Sequence, residues 1–510
     1  MKFPLGIQTF SQIRNENYLY VDKTQYIYDL ITMGKNYFLS RPRRFGKSLL
    51  ISTLESVFNG DKHLFDGLSI GKTDYDFIKY PIVLLEFTNV ITHTAEDVKR
   101  YIINTTNSIA QEYQLELTFA SYEERMRELI KKLHQKTQKP VVFLVDEYDK
   151  PILDNVFESE LEEVREVLAG FYGMIKQSDR FLKFVLVTGV SKFAKLSAFS
   201  GMNSLTDISM ERRYATICGV SQPELEDNFA LSIEQLAQLE QLDHKVLLEK
   251  IKYWYNGYCF HQNAIGVYNP YSLLSLVRKQ EFKNYWFSTA TPKFLLDLLQ
   301  NRQYDLESLT SQQVGEAAFN ACEPEEMGVQ SIFLQTGYLT IKSYADGLYQ
   351  LDFPNYEVKK SFYDSVASRY SRLDPGSEHA YIVKLTRQLQ AQQFDDFFQT
   401  LRVFFANIPY DISIAHEKYY QSLFYAVFKL VGLSIQVEVS TNKGRIDCVI
   451  ETPQMICVIE FKLDGTKEQA IEQILDKDYS QMYQHSGKEL VLIGVEFDKK
   501  SRNIGGFLIN

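Results

Sequence analysis

Unbroken apolar runs at residues 37–39, 82–87, 141–145 and 184–188 alternate along the first half of the chain with longer stretches of helical period. A run without polar alternation reads as a strand buried on both faces, and strands alternating with helices build a parallel sheet through right-handed crossovers. Residues 232–253 carry apolar positions at helical spacing and lead into Trp254-Tyr255-Asn256-Gly257-Tyr258. Asn-Gly there signals a turn, and the flanking aromatics are expected to pack a small lid or linker. Residues 280–400 are mixed and mostly helical by pattern, with Pro292 and Pro354 as breakers. Near the C-terminus the period returns to two, in residues 444–450 and 455–462 around the turn Glu451-Thr452-Pro453-Gln454, and residues 466–476 then read as a helix. The expected fold class is α/β multidomain, with segments 1–225, 226–300, 301–400 and 401–510.

The first strand opens the chemistry. Residues 37–50 read YFLSRPRRFGKSLL: a strand, a loop rich in arginine, then Gly46-Lys47-Ser48 entering a helix. This order builds a pocket for a nucleoside triphosphate. Backbone N–H groups and the positive helix end face the phosphates, lysine reaches the β/γ oxygens, and a hydroxyl takes a place on Mg²⁺. The glycine that usually starts such a loop is replaced by Arg41, and Pro42 cannot donate an N–H. The loop is read as a variant with less backbone freedom and added positive charge from Arg41, Arg43 and Arg44. Together with Phe45, Gly46, Lys47, Ser48 and Leu49 these residues are the candidate ATP contacts.

The run 141–145 ends in Asp146-Glu147. An acid at the carboxyl end of such a strand holds Mg²⁺, and a following Glu polarises the attacking water. The run at 82–87 is read as the additional strand that P-loop folds with a catalytic glutamate require. Thr188, at the tip of the fourth run, is the candidate sensor of the terminal phosphate. Arg212 and Arg213 lie where a charge-stabilising arginine is sometimes placed, and a solvated or ion-paired surface is the preferred reading for them. Asp22 and Gln25 look like the two ends of a helix cap, in a position that also suits the neighbourhood of an adenine.

Composition narrows the setting. The net charge of −10 gives no whole-molecule attraction to nucleic acid, so any such contact must be a local patch. Cys218, Cys259, Cys322, Cys448 and Cys457 are scattered, odd in number and without metal-type spacing, which fits a reduced cytoplasmic setting. The first residues have no continuous apolar core of a secretory signal, and no run reaches membrane-spanning length.

The second constellation lies in the C-terminal hairpin. With a four-residue loop, Ile450 pairs with Met455 and Asp447 stands opposite Val458. Asp447, Glu460 and Lys462 then share one face, the two acids as diagonal neighbours about 7–8 Å apart by backbone position. Acids so placed converge on one metal ion, Mg²⁺ takes one or two carboxylates plus water and phosphate, and the lysine serves the nucleophile or the growing charge. His416-Glu417 opens an amphipathic helix through Leu430, so Glu417 is a further candidate ligand. Gln473 lies on the helix downstream.

These motifs carry a resemblance. The N-terminal half resembles the AAA-ATPase-like family of bacterial proteins through YVDKT (residues 20–24), SRPRRFGKSL (40–49) and DEYDKP (146–151). The C-terminal part looks like the PD-(D/E)XK nuclease domain that accompanies it, through GRIDCVIE and CVIEFK. The resemblance implies a P-loop ATPase domain at 1–225, a helical lid at 226–300, a helical linker region at 301–400 and a nuclease-like domain at 401–510. It further implies ATP with Mg²⁺ at Lys47, Ser48, Asp146 and Glu147, and a nuclease metal site at Asp447, Glu460 and Lys462, with the helix acid carried onto Glu417. The expected protein hydrolyses ATP and cleaves nucleic acid, DNA before RNA, with metal. It needs no membrane, and a homo-oligomer is compatible with it. The competing expectation is a nucleotide-controlled switch or scaffold whose nuclease-like domain binds DNA or a protein without cutting.

Overall fold

The computed structural model describes residues 2–510 apart from 157, 193–204, 287–292, 303, 305, 307, 320–327, 372–376, 407–424, 426, 428–433, 442–443, 453, 464, 480, 484–485, 499–500 and 502. Glu417 and the helix expected from residue 416 to 430, like Pro292, Cys322 and Pro453, fall outside the described residues, of which only Tyr425 and Val427 belong to that stretch. Two compact units form. One comprises Met1–Thr291 and Gln313–Val358, the other Pro292–Gln312 and Lys359–Asn510.

The first unit is built on β1 (Asn36–Ser40), β2 (Ile82–Glu86), β3 (Val141–Asp146), β4 (Leu182–Gly189) and the short β5 (Thr206–Asp207). All pair in parallel, in the order β2-β3-β4-β1-β5. Every residue of β3 is buried, as expected of an all-apolar strand covered on both faces. The strand that separates β1 from β3 is β4. The run 82–87, expected to supply an additional strand to this core, forms β2 at the sheet edge, where its burial alternates along the strand. The consequence matters for the site: Thr188 on β4 lies between the phosphate-loop strand and the acid strand.

Helices Gln222–Glu240, His244–Tyr255 and Pro270–Lys279 enclose a separate core of Leu225, Phe229, Ile233, Leu247, Ile251 and Leu273. Their starts are written locally. Ser221 and Glu224 form a capping box, Asp243 caps the second helix, and Asn269 caps the third ahead of Pro270. The expected cap at Asp22 differs. Helix Thr24–Met33 follows Lys23, and the Asp22 carboxylate accepts from Thr24 N (2.9 Å) and Ser69 N (2.7 Å), while Gln25 turns to Asp29.

Residues 313–358 are less helical than their pattern suggested. An antiparallel sheet of β6 (Gln313–Gly315), β7 (Thr340–Ala345) and β8 (Leu348–Asp352) accompanies helix Val329–Thr336. Asp346-Gly347, both with positive φ (53° and 81°), is a two-residue hairpin turn that outweighs the helical spacing around it.

The second unit carries β9 (Ser434–Thr441), β10 (Gly444–Glu451), β11 (Met455–Leu463), β12 (Glu489–Asp498) and β13 (Asn503–Ile509), in the order β13-β12-β11-β10-β9. β11 and β12 are parallel, joined across helix Lys467–Asp476; the other neighbours are antiparallel. Helix Phe394–Ala406 packs by Phe398 on Phe507 (4.2 Å between rings) and by Phe405 on Phe497 (5.5 Å). The hairpin register departs from the expected one by two residues: Ile450 pairs with Cys457 and Glu451 with Ile456. Thr452 closes the turn two residues later than expected, its N–H donating to Met455 O (2.9 Å) and its Oγ1 accepting from Met455 N (2.9 Å). An even shift leaves every side chain on its expected face but sets Asp447 level with Glu460 instead of Val458. Among the described residues no helix is long and apolar enough to cross a membrane.

Candidate functional site

β1 delivers the chain to the loop at Arg41, and helix Lys47–Asn59 begins after Gly46, whose φ of 92° is open to glycine. Arg44 is also left-handed, at φ 66°. Among the described residues, no acceptor is found for the backbone N–H groups of residues 43 to 49. Donors of this kind are a standing demand for an anion. The Lys47 ammonium donates to the carbonyls of Arg41 (2.9 Å) and Pro42 (3.1 Å), bridging the start of the same loop. Ser48 and Leu49, both half-buried, follow in the first helical turn.

Asp146, at the end of β3, accepts from the Thr188 hydroxyl at 2.5 Å through Oδ1. Its Oδ2 is buried with no hydrogen-bond partner among the described residues. A buried carboxylate oxygen left this way fits a magnesium-bound water or the ion itself. Glu147 next to it has φ 55°, a conformation that costs a non-glycine residue and concentrates at working sites. Burial raises its carboxyl above the usual range, with Lys47 and Arg43 pulling it back and Asp146 and Asp149 adding to the rise.

Asp149 is a residue whose role sequence reasoning missed. Fully buried, it accepts from Val190 N (3.1 Å), Ser191 N (2.7 Å) and Ser191 Oγ (2.6 Å), tying the segment after β4 to the end of β3. The second aspartate of DEYDKP was its visible signal. Arg213 pairs with Asp29 at 3.1 Å on the surface, as the preferred reading of that pair required, and Arg212 is exposed.

Arg41 departs from expectation. Its side chain does not lie with the phosphate-facing groups: it is buried, donating to the carbonyls of Ser40 (2.8 Å), Ser209 (2.7 Å) and Tyr214 (2.9 Å), with its guanidinium 4.0 Å from the Phe260 ring centre. Burial lowers it to about 10, so it stays charged at neutral pH. Its work is to pin the start of the loop. Arg43 and Arg44 remain exposed, Arg44 over the Tyr271 ring at 4.9 Å. Beside Gly46 and Leu49 a cleft of about 670 Å³, counting its opening to solvent, lies between the segment holding Tyr20, the segment holding Ile217, and Phe229 and Leu274.

In the second unit Asp447 and Glu460 meet across β10 and β11. Asp447 Oδ2 accepts from Phe461 N at 2.8 Å, and Asp447 N lies 3.4 Å from Glu460 Oε2. Glu460 is buried, and both burial and the neighbouring Asp447 raise its carboxyl, while Lys462 at 3.6 Å opposes the rise. Two facing carboxylates with one lysine are a donor set that a divalent cation neutralises. Gln473 on helix Lys467–Asp476 joins them: its amide N–H donates to Glu460 Oε1, and its carbonyl accepts from Lys462 Nζ. Among the described residues no cluster of three or more acid, histidine or cysteine side chains forms that could hold a metal ion.

Fold and geometry thus define a chain with an ATPase-like part and a nuclease-like part. Residues 4–199 match the family model described as Predicted AAA-ATPase, and residues 415–507 match the PD-(D/E)XK nuclease superfamily model. The whole chain is 38% identical, over 522 residues and 98% of the relative's length, to a protein of Azotobacter chroococcum mcd 1 described as "Uncharacterized protein in vnfD 5'region". The chain belongs to the predicted AAA-ATPase family, in the form that carries a C-terminal PD-(D/E)XK nuclease superfamily domain.

Proposed function

We propose that the protein binds and hydrolyses ATP at the loop 41–49 and cleaves phosphodiester bonds of nucleic acid at the hairpin site, both with Mg²⁺. The observation that carries the reading is the run of backbone N–H groups from residue 43 to 49 with no acceptor among the described residues, placed with Lys47 at the head of a helix. Lys47 exchanges its two loop carbonyls for phosphate oxygens. Ser48 and Asp146 would hold the metal, with Thr188 fixing the Asp146 carboxylate in position. Glu147, less acidic than a free glutamate, takes the proton of the attacking water. The base of the nucleotide fits the cleft between Tyr20, Ile217 and Leu274.

At the hairpin, Asp447 and Glu460 would hold the metal, which when bound supplies charge neutralisation and a more acidic water. Lys462 stabilises charge on the scissile phosphate, and Gln473, bonded to both, holds Glu460 and Lys462 at fixed geometry.

The test is a paired assay of phosphate release and of DNA and RNA cleavage, with Mg²⁺ or Mn²⁺, on the wild type, Lys47→Ala and Asp447→Ala. Lys47→Ala should lose ATP turnover, and Asp447→Ala should lose cleavage while keeping turnover. Cleavage that survives in purified Asp447→Ala protein removes the catalytic assignment of the hairpin.

A further inference from the structure

The loop that carries Lys47 is held from behind by residues far along the same unit. Phe45 packs against Tyr258 and Phe260, with ring centres 4.7 and 5.4 Å away. Gly337, at φ 88°, lies so close to Pro42 that a Cβ there would come within 2.6 Å of the proline ring. Trp286 makes the polar contact: its indole Nε1 donates to the Arg43 carbonyl at 3.0 Å. Trp286 is itself anchored. Its backbone N–H donates at 2.7 Å to the buried Glu357 carboxylate, which also accepts from Tyr285 N and, at 2.7 Å, from Ser272 Oγ.

The bond to Arg43 has a geometric consequence. In a trans peptide the carbonyl and the following N–H point in opposite directions. A carbonyl of Arg43 turned toward Trp286 therefore turns the N–H of Arg44 away from it. Arg44 then adopts φ 66°, and curled backbone of this kind brings successive N–H groups toward a common anion. An anion drawing on that N–H pulls on the same rigid peptide whose other end the indole holds.

We propose that Trp286 is a positioning residue for nucleotide binding, anchored by Glu357, and that its indole senses whether the loop is filled. The inference rests on the reading of residues 41–49 as an ATP site. Trp286→Phe keeps a ring against Tyr338, 5.1 Å away in the native chain, and deletes the donor together with part of a buried ring. The loss of one hydrogen bond should weaken binding of Mg²⁺-ATP, measured by equilibrium dialysis, about fivefold. The smaller buried ring should lower stability in urea, so affinity is compared where urea unfolding shows the variant fully folded. Glu357→Gln, which keeps the acceptor for both N–H groups, should bind within about twofold of wild type.

The chain has two tryptophans, so Trp254→Phe leaves Trp286 as the sole reporter. Its emission should change on adding ATP and saturate at the dissociation constant found by dialysis. This measurement stands even if Trp286→Phe fails to fold. Wild-type affinity in folded Trp286→Phe, or a silent Trp286 in protein that binds ATP by dialysis, overturns the proposal and leaves the ATP reading standing. No ATP bound by the wild type overturns both.

Discussion

Glu357 gives the most direct test of the physical reasoning, through pH. It is buried, and loss of water around the carboxylate raises its pKa from 4.5 to about 7, against the opposing hydrogen bonds from Trp286, Ser272 and Tyr285. An acid weaker in the folded chain than in the unfolded one holds its proton preferentially when folded. Its contribution is therefore most favourable below pH 4.5 and is lost as pH rises toward 7. The gap corresponds to about 3 kcal/mol, of which about 2.5 kcal/mol is expected between pH 5 and 8. Glu357→Gln cannot ionise and keeps an acceptor oxygen for the two N–H groups. Relative to wild type, the variant should gain about 2.5 kcal/mol of unfolding free energy on going from pH 5 to pH 8. Urea titration followed by tryptophan emission is the assay, because Trp254 and Trp286 both lie in the unit that holds Glu357. Tyr255, Tyr258 and Tyr285, whose hydroxyls burial makes less acidic still, do not titrate across this window. An equal difference between variant and wild type at both pH values would refute the argument.

Two further outcomes are expected. Gly337→Ala forces a side chain into left-handed backbone and against Pro42, and should cost about 2–4 kcal/mol in urea unfolding together with ATP affinity; unchanged stability would mean that the loop is not braced there. Gln473→Leu removes the amide that bridges Glu460 and Lys462 and should slow cleavage about 10- to 100-fold with the fold retained, a result that wild-type cleavage rates would contradict.

Much of this molecule was legible in the sequence where the determinants are local. The four apolar runs mark β1 to β4, because strands covered on both faces need no polar positions. Lys47, Asp146, Glu147 and Thr188 read correctly as strand tips and a helix start, and the parallel sheet brings those ends together. Asp447, Glu460 and Lys462 kept their shared face although the register was off by two, since only an odd slip turns a strand over. Arg41 misled because residue type does not fix direction: the carbonyls of Ser209 and Tyr214 that claim it lie far along the chain. Trp286, Gly337 and Glu357 escaped for the same reason. Their chemistry appears only when residues separated by hundreds of positions are folded together, and the aromatic cluster around Tyr258 looked like ordinary packing until Phe45 was found against it.

The chain passes into the second unit at Pro292, comes back at Gln313 and leaves again at Lys359. Genes for two independent proteins fused end to end would give a single passage. A fragment stopped at residue 225 or 291, however well it matches an ATPase family model, lacks the glycine under Pro42 and the acid beneath Trp286. The two parts are therefore interleaved along the chain, and any single cut in the gene divides at least one of them or carries a piece of the other with it.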